Sequence, residues 1–261
     1  MCQLLGMNSR LPASLTLSFT GFSHRGGDTD HHSDGWGIAF FQTEGLAPGK
    51  GMRCFVDTES AATSALAHML RDYAIKSHNV VAHVRKATVG DISLENCHPF
   101  VRELWGRYWV FAHNGDLKNY APVLHGSFHP VGSTDSELAF CWLMQELAKS
   151  HADVPGVAEL SRTLRELVPQ ISKHGPFNFL LSNGQALWAH ASTRLHYLVR
   201  EYPFPEVQLK DEDVRVDLSE HNGPNDRVAI VVTEPLTTNE VWTALAPGEL
   251  KVFVDGAPID F

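Results

Sequence analysis

The residue best placed for covalent chemistry is Cys2, in the opening run Met1-Cys2-Gln3-Leu4-Leu5-Gly6. Methionine aminopeptidases generally remove Met ahead of a residue as small as Cys, and that cleavage would give Cys2 a free α-amino group. Such an amine has a reference pKa of about 7.7–8.0, so an appreciable fraction is neutral near physiological pH and can accept the thiol proton. The thiol itself, at a pKa of about 8.5, needs only modest help to become a nucleophile. One residue could therefore supply both nucleophile and base. A Met-Cys pair also arises by chance, so the reading depends on what accompanies it.

Four further segments carry residues of the right types. In HSDGWGIAFF (32–41) a Gly-rich approach leads into a strand, and Gly35 and Gly37 permit close backbone approach or simply a tight turn. In AHVRKATVG (82–90) an alternating strand ends at Arg85 and Thr88. An arginine there suits bidentate capture of a carboxylate, with a surface salt bridge as the plainer alternative. In FAHNGDL (111–117) a strand breaks at Asn114-Gly115. A side-chain amide beside an unobstructed Gly N–H makes a pair of oxyanion donors, although Asn-Gly also marks ordinary turns. In GSTDSELAF (132–140) Asp135 falls in the first turn of a helix. There a carboxylate compensates the helix dipole and could also bind a substrate ammonium.

Taken together and in this order, these motifs resemble the class II glutamine amidotransferases, within the N-terminal-nucleophile hydrolases, and are most similar to the small stand-alone YafJ-like branch. The resemblance runs through most of residues 2–140. It implies that Cys2 is the nucleophile, that Asn114 and Gly115 form the oxyanion hole, and that Arg85, with Thr88 nearby, holds the glutamine α-carboxylate. It further implies that Asp135 binds the α-amino group and that Arg25, in the pair Arg25-Gly26, helps shape the substrate pocket. NCHPF (96–100) is similar to the family's Asn-x-(His/Gln)-Pro segment, which implies structural support. Lys86 and Val89 stand where some synthase-linked members carry Trp and His, and an acidic, His-rich stretch follows Arg25. Those departures leave glutamine less firmly specified than amide hydrolysis.

The implied fold is an α+β, four-layer αββα sandwich of two mostly antiparallel sheets, with residues 1–261 forming a single domain. The implied reaction uses neither metal nor cofactor. The leading expectation is a glutaminase that passes ammonia to a separate synthase. The alternatives are a hydrolase of another γ-glutamyl amide, or a non-catalytic binding module should Met1 be retained.

The elements that must position these residues are partly readable. Strands are expected over 2–7, 35–41, 52–56, 78–85 and 107–113, then over 177–182, 186–191, 195–200, 228–234 and 250–254. FNFLLSNGQALWAHAS reads as a hairpin turning at Asn183-Gly184. From Val157, apolar residues recur at Leu160, Leu164, Leu167, Val168 and Ile171, a helical stripe suited to packing on a sheet. Residues 135–148 are apolar nearly all round, which predicts a buried helix. Thr134 and Glu137 have the spacing of a capping box. A third helix is expected over 60–72. Residues 201–226, rich in Pro and acidic residues, read as an excursion within the domain.

Composition narrows the classes. A chain of 261 residues can bury a sizeable core, and a net charge of −9 opposes phosphate-backbone binding, so nucleic acid is not an expected partner. No run approaches the roughly 18 apolar residues that span a bilayer, and no secretory signal is evident, which suggests a cytoplasmic protein. Cys54, Cys97 and Cys141 form no CxxC pair and are expected to be small buried hydrophobes. GLAPGKG (45–51) is one residue short of a P-loop and lacks the following Ser or Thr, and no GxSxG segment occurs. His31, His32 and the other histidines lack zinc spacing and are expected on a solvated surface.

Overall fold

The computed structural model describes residues 2–29, 32–41, 47–73, 75–87, 90–220 and 222–261. Met1, His31, Thr88 and Val89, which figure in the sequence reading, lie outside them, as do residues 45 and 46 of the P-loop-like segment. Two antiparallel sheets stack face to face. The first has seven strands: β1 (Gln3–Ser14), β2 (Trp36–Phe41), β3 (Met52–Asp57), β4 (Lys76–Val84), β9 (His196–Glu201), β12 (Arg227–Val232) and β13 (Thr243–Ala244), in the order β13-β9-β12-β1-β4-β2-β3. The second has six: β5 (Phe100–Leu104), β6 (Arg107–Gly115), β7 (Phe177–Ser182), β8 (Leu187–Ala191), β14 (Glu249–Val254) and β15 (Ala257–Ile259), in the order β15-β14-β8-β7-β6-β5.

Alternating strand faces generate three apolar layers. Between the sheets, Leu4, Val81 and Val231 of the first meet Val110, Leu180 and Ala189 of the second. Outside the first sheet pack α1 (Thr16–His24) and α2 (Ala65–Asp72), through Phe19, Phe22, Ala67 and Leu70. Outside the second pack α3 (Asp135–Ser150) and α4 (Val157–Ser172). The layers are thus αββα, the expected sandwich. The stripe Leu160, Leu164, Leu167, Val168 and Ile171 is buried against the second sheet, where the 3.6-residue period places it.

Several local expectations need correction. The helix placed over 60–72 starts at Ala65, because Ser64 accepts a hydrogen bond from the Ala67 N–H and caps it there. The strand placed over 2–7 runs on to Ser14 past an irregularity between Asn8 and Ala13. The hairpin after β7 turns over four residues, with Asn183 Oδ1 accepting from the Gln185 N–H at 3.0 Å. Helix α1, strand β5 and the short strands β13 and β15 form where the sequence pattern predicts no element. Residues 201–226 do form an excursion, built around a two-stranded ribbon, β10 (Glu206–Gln208) with β11 (Arg215–Asp217). Cys54 is exposed on edge strand β3, unlike the buried Cys97 and Cys141. The histidines are not all on a solvated surface: His32, His83, His98, His113 and His190 are buried. No described helix is long and apolar enough to cross a membrane.

Candidate active site

The candidate residues converge where the ends of the two sheets meet. Cys2 lies immediately before β1, and the antiparallel pairing of Gln3 with Val84 brings Arg85 and Lys86, just past β4, alongside it. Asn114 and Gly115 end β6 in the facing sheet, and Asp135 opens α3 above that sheet. Cys2, Arg85, Gly115 and Asp135 line one cleft with about 290 Å³ of empty space, its open mouth included.

Asn114 does not itself line the cleft but joins the two sheets beside it, through Cys2. Its side chain is buried, its Oδ1 accepts from the Cys2 N–H at 3.0 Å, and its Nδ2 donates to the Cys2 carbonyl at 2.6 Å. An amide nitrogen carries two N–H donors, and among the described residues Nδ2 uses only one of them. Asn114 is fixed in turn by Asn178, whose Nδ2 donates to the Asn114 carbonyl at 2.9 Å. Gly115 must be glycine, because a Cβ there would stand 1.8 Å from the Pro176 carbonyl oxygen.

The thiol of Cys2 faces the backbone of Lys86. Sγ accepts from the Lys86 N–H and is within reach of the Lys86 carbonyl, each at 3.3 Å. Burial pushes the thiol pKa up, and the Lys86 hydrogen bond and the nearby Arg85 charge offset this only in part. A thiol of this kind stays protonated near neutral pH and would need a base to act as a nucleophile.

Arg85 is buried, and its guanidinium is braced by carbonyls: Nη1 donates to Asp91 at 3.0 Å and to Asp34 at 3.4 Å, and Nη2 donates to Gly90 at 3.1 Å. Asp34 also accepts the Ala87 N–H on Oδ2 at 2.8 Å, so the segment 32–41 buttresses the turn after β4. Asp135 Oδ2 accepts from the Leu117 N–H at 2.7 Å, which aims the carboxylate toward the end of β6. The capping box at this helix is half formed. Thr134 accepts from the Glu137 N–H at 3.2 Å, but the Glu137 carboxylate turns to the N–H groups of Val131 and Gly132. A fixed cation and a fixed anion flanking a thiol can hold a zwitterionic α-amino acid.

Arg25, expected at the substrate pocket, does not line this cleft. It is buried elsewhere, with Nε and Nη2 on Asp211 at 2.8 and 2.7 Å and further bonds to the carbonyls of Glu234 and Pro235. Asp211 belongs to the acidic excursion, so Arg25 ties that excursion to α1. Thr88 lies outside the described residues.

His98, His113, Thr134 and Ser136 also line the cleft; Thr134 was expected only as a helix cap and His98 only as part of a supporting segment, while His113 and Ser136 carried no site expectation. His113 shares its Nδ1 with Ser136 Oγ at 2.8 Å, and burial lowers its pKa more than the Asp135 charge raises it. Behind it, the rings of His83 and His98 lie 4.2 Å apart, both buried. Burial, with the neighbouring His113, Arg85 and His32, pushes the His83 pKa down to about 3. Adjacency to Asn114 and Asp135 was the only available signal for His113 and Ser136.

Comparison with known proteins follows the same line. The family model for class II glutamine amidotransferases matches residues 1–261. The chain is 46% identical over 257 residues to the Escherichia coli K12 protein named "Putative glutamine amidotransferase YafJ", covering 98% of each. A Pseudomonas aeruginosa PA01 crystal structure, described as a "predicted glutamine amidotransferase", superposes with a TM-score of 0.79 at 40% identity, covering 100% of both chains. The glutamine phosphoribosylpyrophosphate amidotransferase of B. subtilis shares the fold at a TM-score of 0.58 and 15% identity, with 99% of this chain matched to 48% of that one.

Proposed function

The chain belongs to the class II glutamine amidotransferases, and from that premise we propose that residues 1–261 form one glutaminase domain whose nucleophile is Cys2, freed by loss of Met1. The observation that carries the reading is the pair of bonds by which the Asn114 amide holds Cys2, beside Arg85 and Asp135 at the same cleft.

With Met1 gone, the Cys2 nitrogen becomes an amine. Asn114 Oδ1 accepts one of its N–H groups and thereby orients the lone pair. That lone pair takes the thiol proton as sulfur bonds to the γ-amide carbon. The carbonyl π electrons move to oxygen, where the second Nδ2–H of Asn114 and the Gly115 N–H stabilise the charge. The α-ammonium returns its proton to the amide nitrogen, the carbon–nitrogen bond breaks, and ammonia leaves a γ-glutamyl thioester. Water hydrolyses the thioester to glutamate and restores the thiol. Arg85 holds the α-carboxylate and Asp135 the α-ammonium, so the scissile amide is presented in one orientation.

Ammonia release from L-glutamine tests the reading. The wild-type protein should release it, and Cys2→Ala should not. Wild-type rates from Cys2→Ala would end the assignment. A second substrate class, another γ-glutamyl amide, is favoured by Lys86, an exposed residue that lines the cleft. Assaying glutamine against a panel of γ-glutamyl amides separates the two.

A further inference from the structure

The two charges that would grip an α-amino acid come from different layers, Arg85 just past β4 and Asp135 at the start of α3, and one buried side chain spans the segments beside them. Asn96 is 2% exposed, in a short 3-10 turn over Leu94–Asn96. Its Nδ2 donates at 3.0 Å to the Asp91 carbonyl, the same oxygen that receives Arg85 Nη1 at 3.0 Å. Its Oδ1 accepts from the Ser133 N–H at 2.9 Å, two residues before Asp135, and Nδ2 also lies 3.4 Å from Ser133 Oγ. The path Arg85, Asp91, Asn96, Ser133 is therefore continuous, and Asp135 follows Ser133 at the start of α3.

The far side of the bracket is equally constrained. Glu137, buried beneath the 131–132 loop, accepts from the Val131 N–H at 3.0 Å and from the Gly132 N–H at 2.7 Å. Gly132 lies so close to the 3-10 turn that a Cβ on it would stand 2.2 Å from Asn96 Oδ1 and 2.8 Å from the Glu95 carbonyl oxygen. No side chain fits between the loops. A primary amide is the group this position requires, since it donates to one loop and accepts from the other at once.

We infer that Asn96 is a positioning residue that sets the spacing between the carboxylate-binding and ammonium-binding ends of the substrate clamp, so that the site selects ligands carrying both α groups. The inference rests on the glutaminase reading for the identity of the substrate. Asn96 itself touches neither the thiol nor its oxyanion donors, so its effect belongs on binding and selectivity and not on the bond-breaking step.

The test uses two variants that disturb the bracket from opposite sides. Asn96→Asp keeps the size and the acceptor toward Ser133 but sets an oxygen against the Asp91 carbonyl. Gly132→Ala wedges the loops apart. Each should raise KM for L-glutamine about tenfold or more, the loss expected when a charge-assisted hydrogen bond to one α group is misaligned, with the effect on kcat smaller than that on KM. Each should also cut the preference for L-glutamine over its des-amino analogue, glutaramate, by a similar factor. The Kd of L-glutamate, a product that keeps both α groups, repeats the comparison by calorimetry without turnover. Folded variants with wild-type KM, Kd and preference overturn the inference, as does a loss of kcat in step with Tm at constant preference. A wild-type protein that binds L-glutamate but releases no ammonia from glutamine fails the glutaminase reading and leaves the clamp to be judged by Kd. One that binds neither overturns both.

Discussion

The side chain of Asn114 does for Cys2 what a neighbouring strand would do: its Oδ1 receives the Cys2 N–H at 3.0 Å and its Nδ2 donates to the Cys2 carbonyl at 2.6 Å. One amide thereby fixes both backbone polar groups of the proposed nucleophile from the opposite sheet. It has an N–H left over for a charge developing nearby.

That relationship makes Asn114 sensitive in a specific way. Asn114→Asp preserves an acceptor for the Cys2 nitrogen but removes the donor. It should lower kcat for glutamine hydrolysis about 10²–10³-fold, corresponding to ~3–4 kcal/mol of transition-state stabilisation. KM should move much less. Steady-state kinetics on protein confirmed to lack Met1 checks this, and a kcat within a few-fold of wild type would remove Asn114 from the oxyanion role.

Asp135 offers a cleaner probe of substrate capture than Arg85, whose guanidinium also braces the backbone carbonyls of Asp34, Gly90 and Asp91. Asp135→Asn keeps an oxygen for the Leu117 N–H and deletes only the charge. A charge-assisted hydrogen bond is worth about 1.5–3 kcal/mol, so KM for L-glutamine should rise about 10–150-fold with kcat largely retained. Unchanged KM would mean that the substrate ammonium binds elsewhere.

The core of the site was legible because each of its members stands at a sequence-marked element end. Cys2 precedes an apolar strand, Arg85 ends another, Asn114-Gly115 breaks a third, and Asp135 follows a Thr cap. Strand and helix periodicity depends on neighbours within a few residues, and there the reading was strongest. The pairing of Arg25 with Asp211 was not legible, because the two lie 186 residues apart and Asp211 falls in a segment with little periodicity. Helix α1 went unassigned because TLSFTGFSH mixes Thr, Ser and Gly, which favour helix weakly. The buried histidines escaped for a related reason: an imidazole carries no mark of burial, and its fate is decided by sheet stacking.

Those histidines should appear in the acid stability of the protein. His83 has a folded-state pKa of about 3, against 6.5 for the ordinary group. Between those values the unfolded chain binds a proton that the folded one does not, so stability rises with pH across the window and is lost as pH falls from 6.5 toward 3. One such group contributes a slope of up to ~1.4 kcal/mol per pH unit. His98 and His113 shift in the same direction and add to it. Denaturant midpoints measured across this window should show His83→Phe flattening the slope without abolishing it. An identical slope in the variant would place the acid sensitivity elsewhere.

Acid-quenched intact-mass measurement during glutamine turnover tests most directly whether Cys2 acts as an N-terminal nucleophile. The expected spectrum shows protein lacking Met1, with a fraction carrying a γ-glutamyl adduct that maps to Cys2 and disappears once glutamine is exhausted. Full turnover by a population that retains Met1, or an adduct on any other residue, would contradict it.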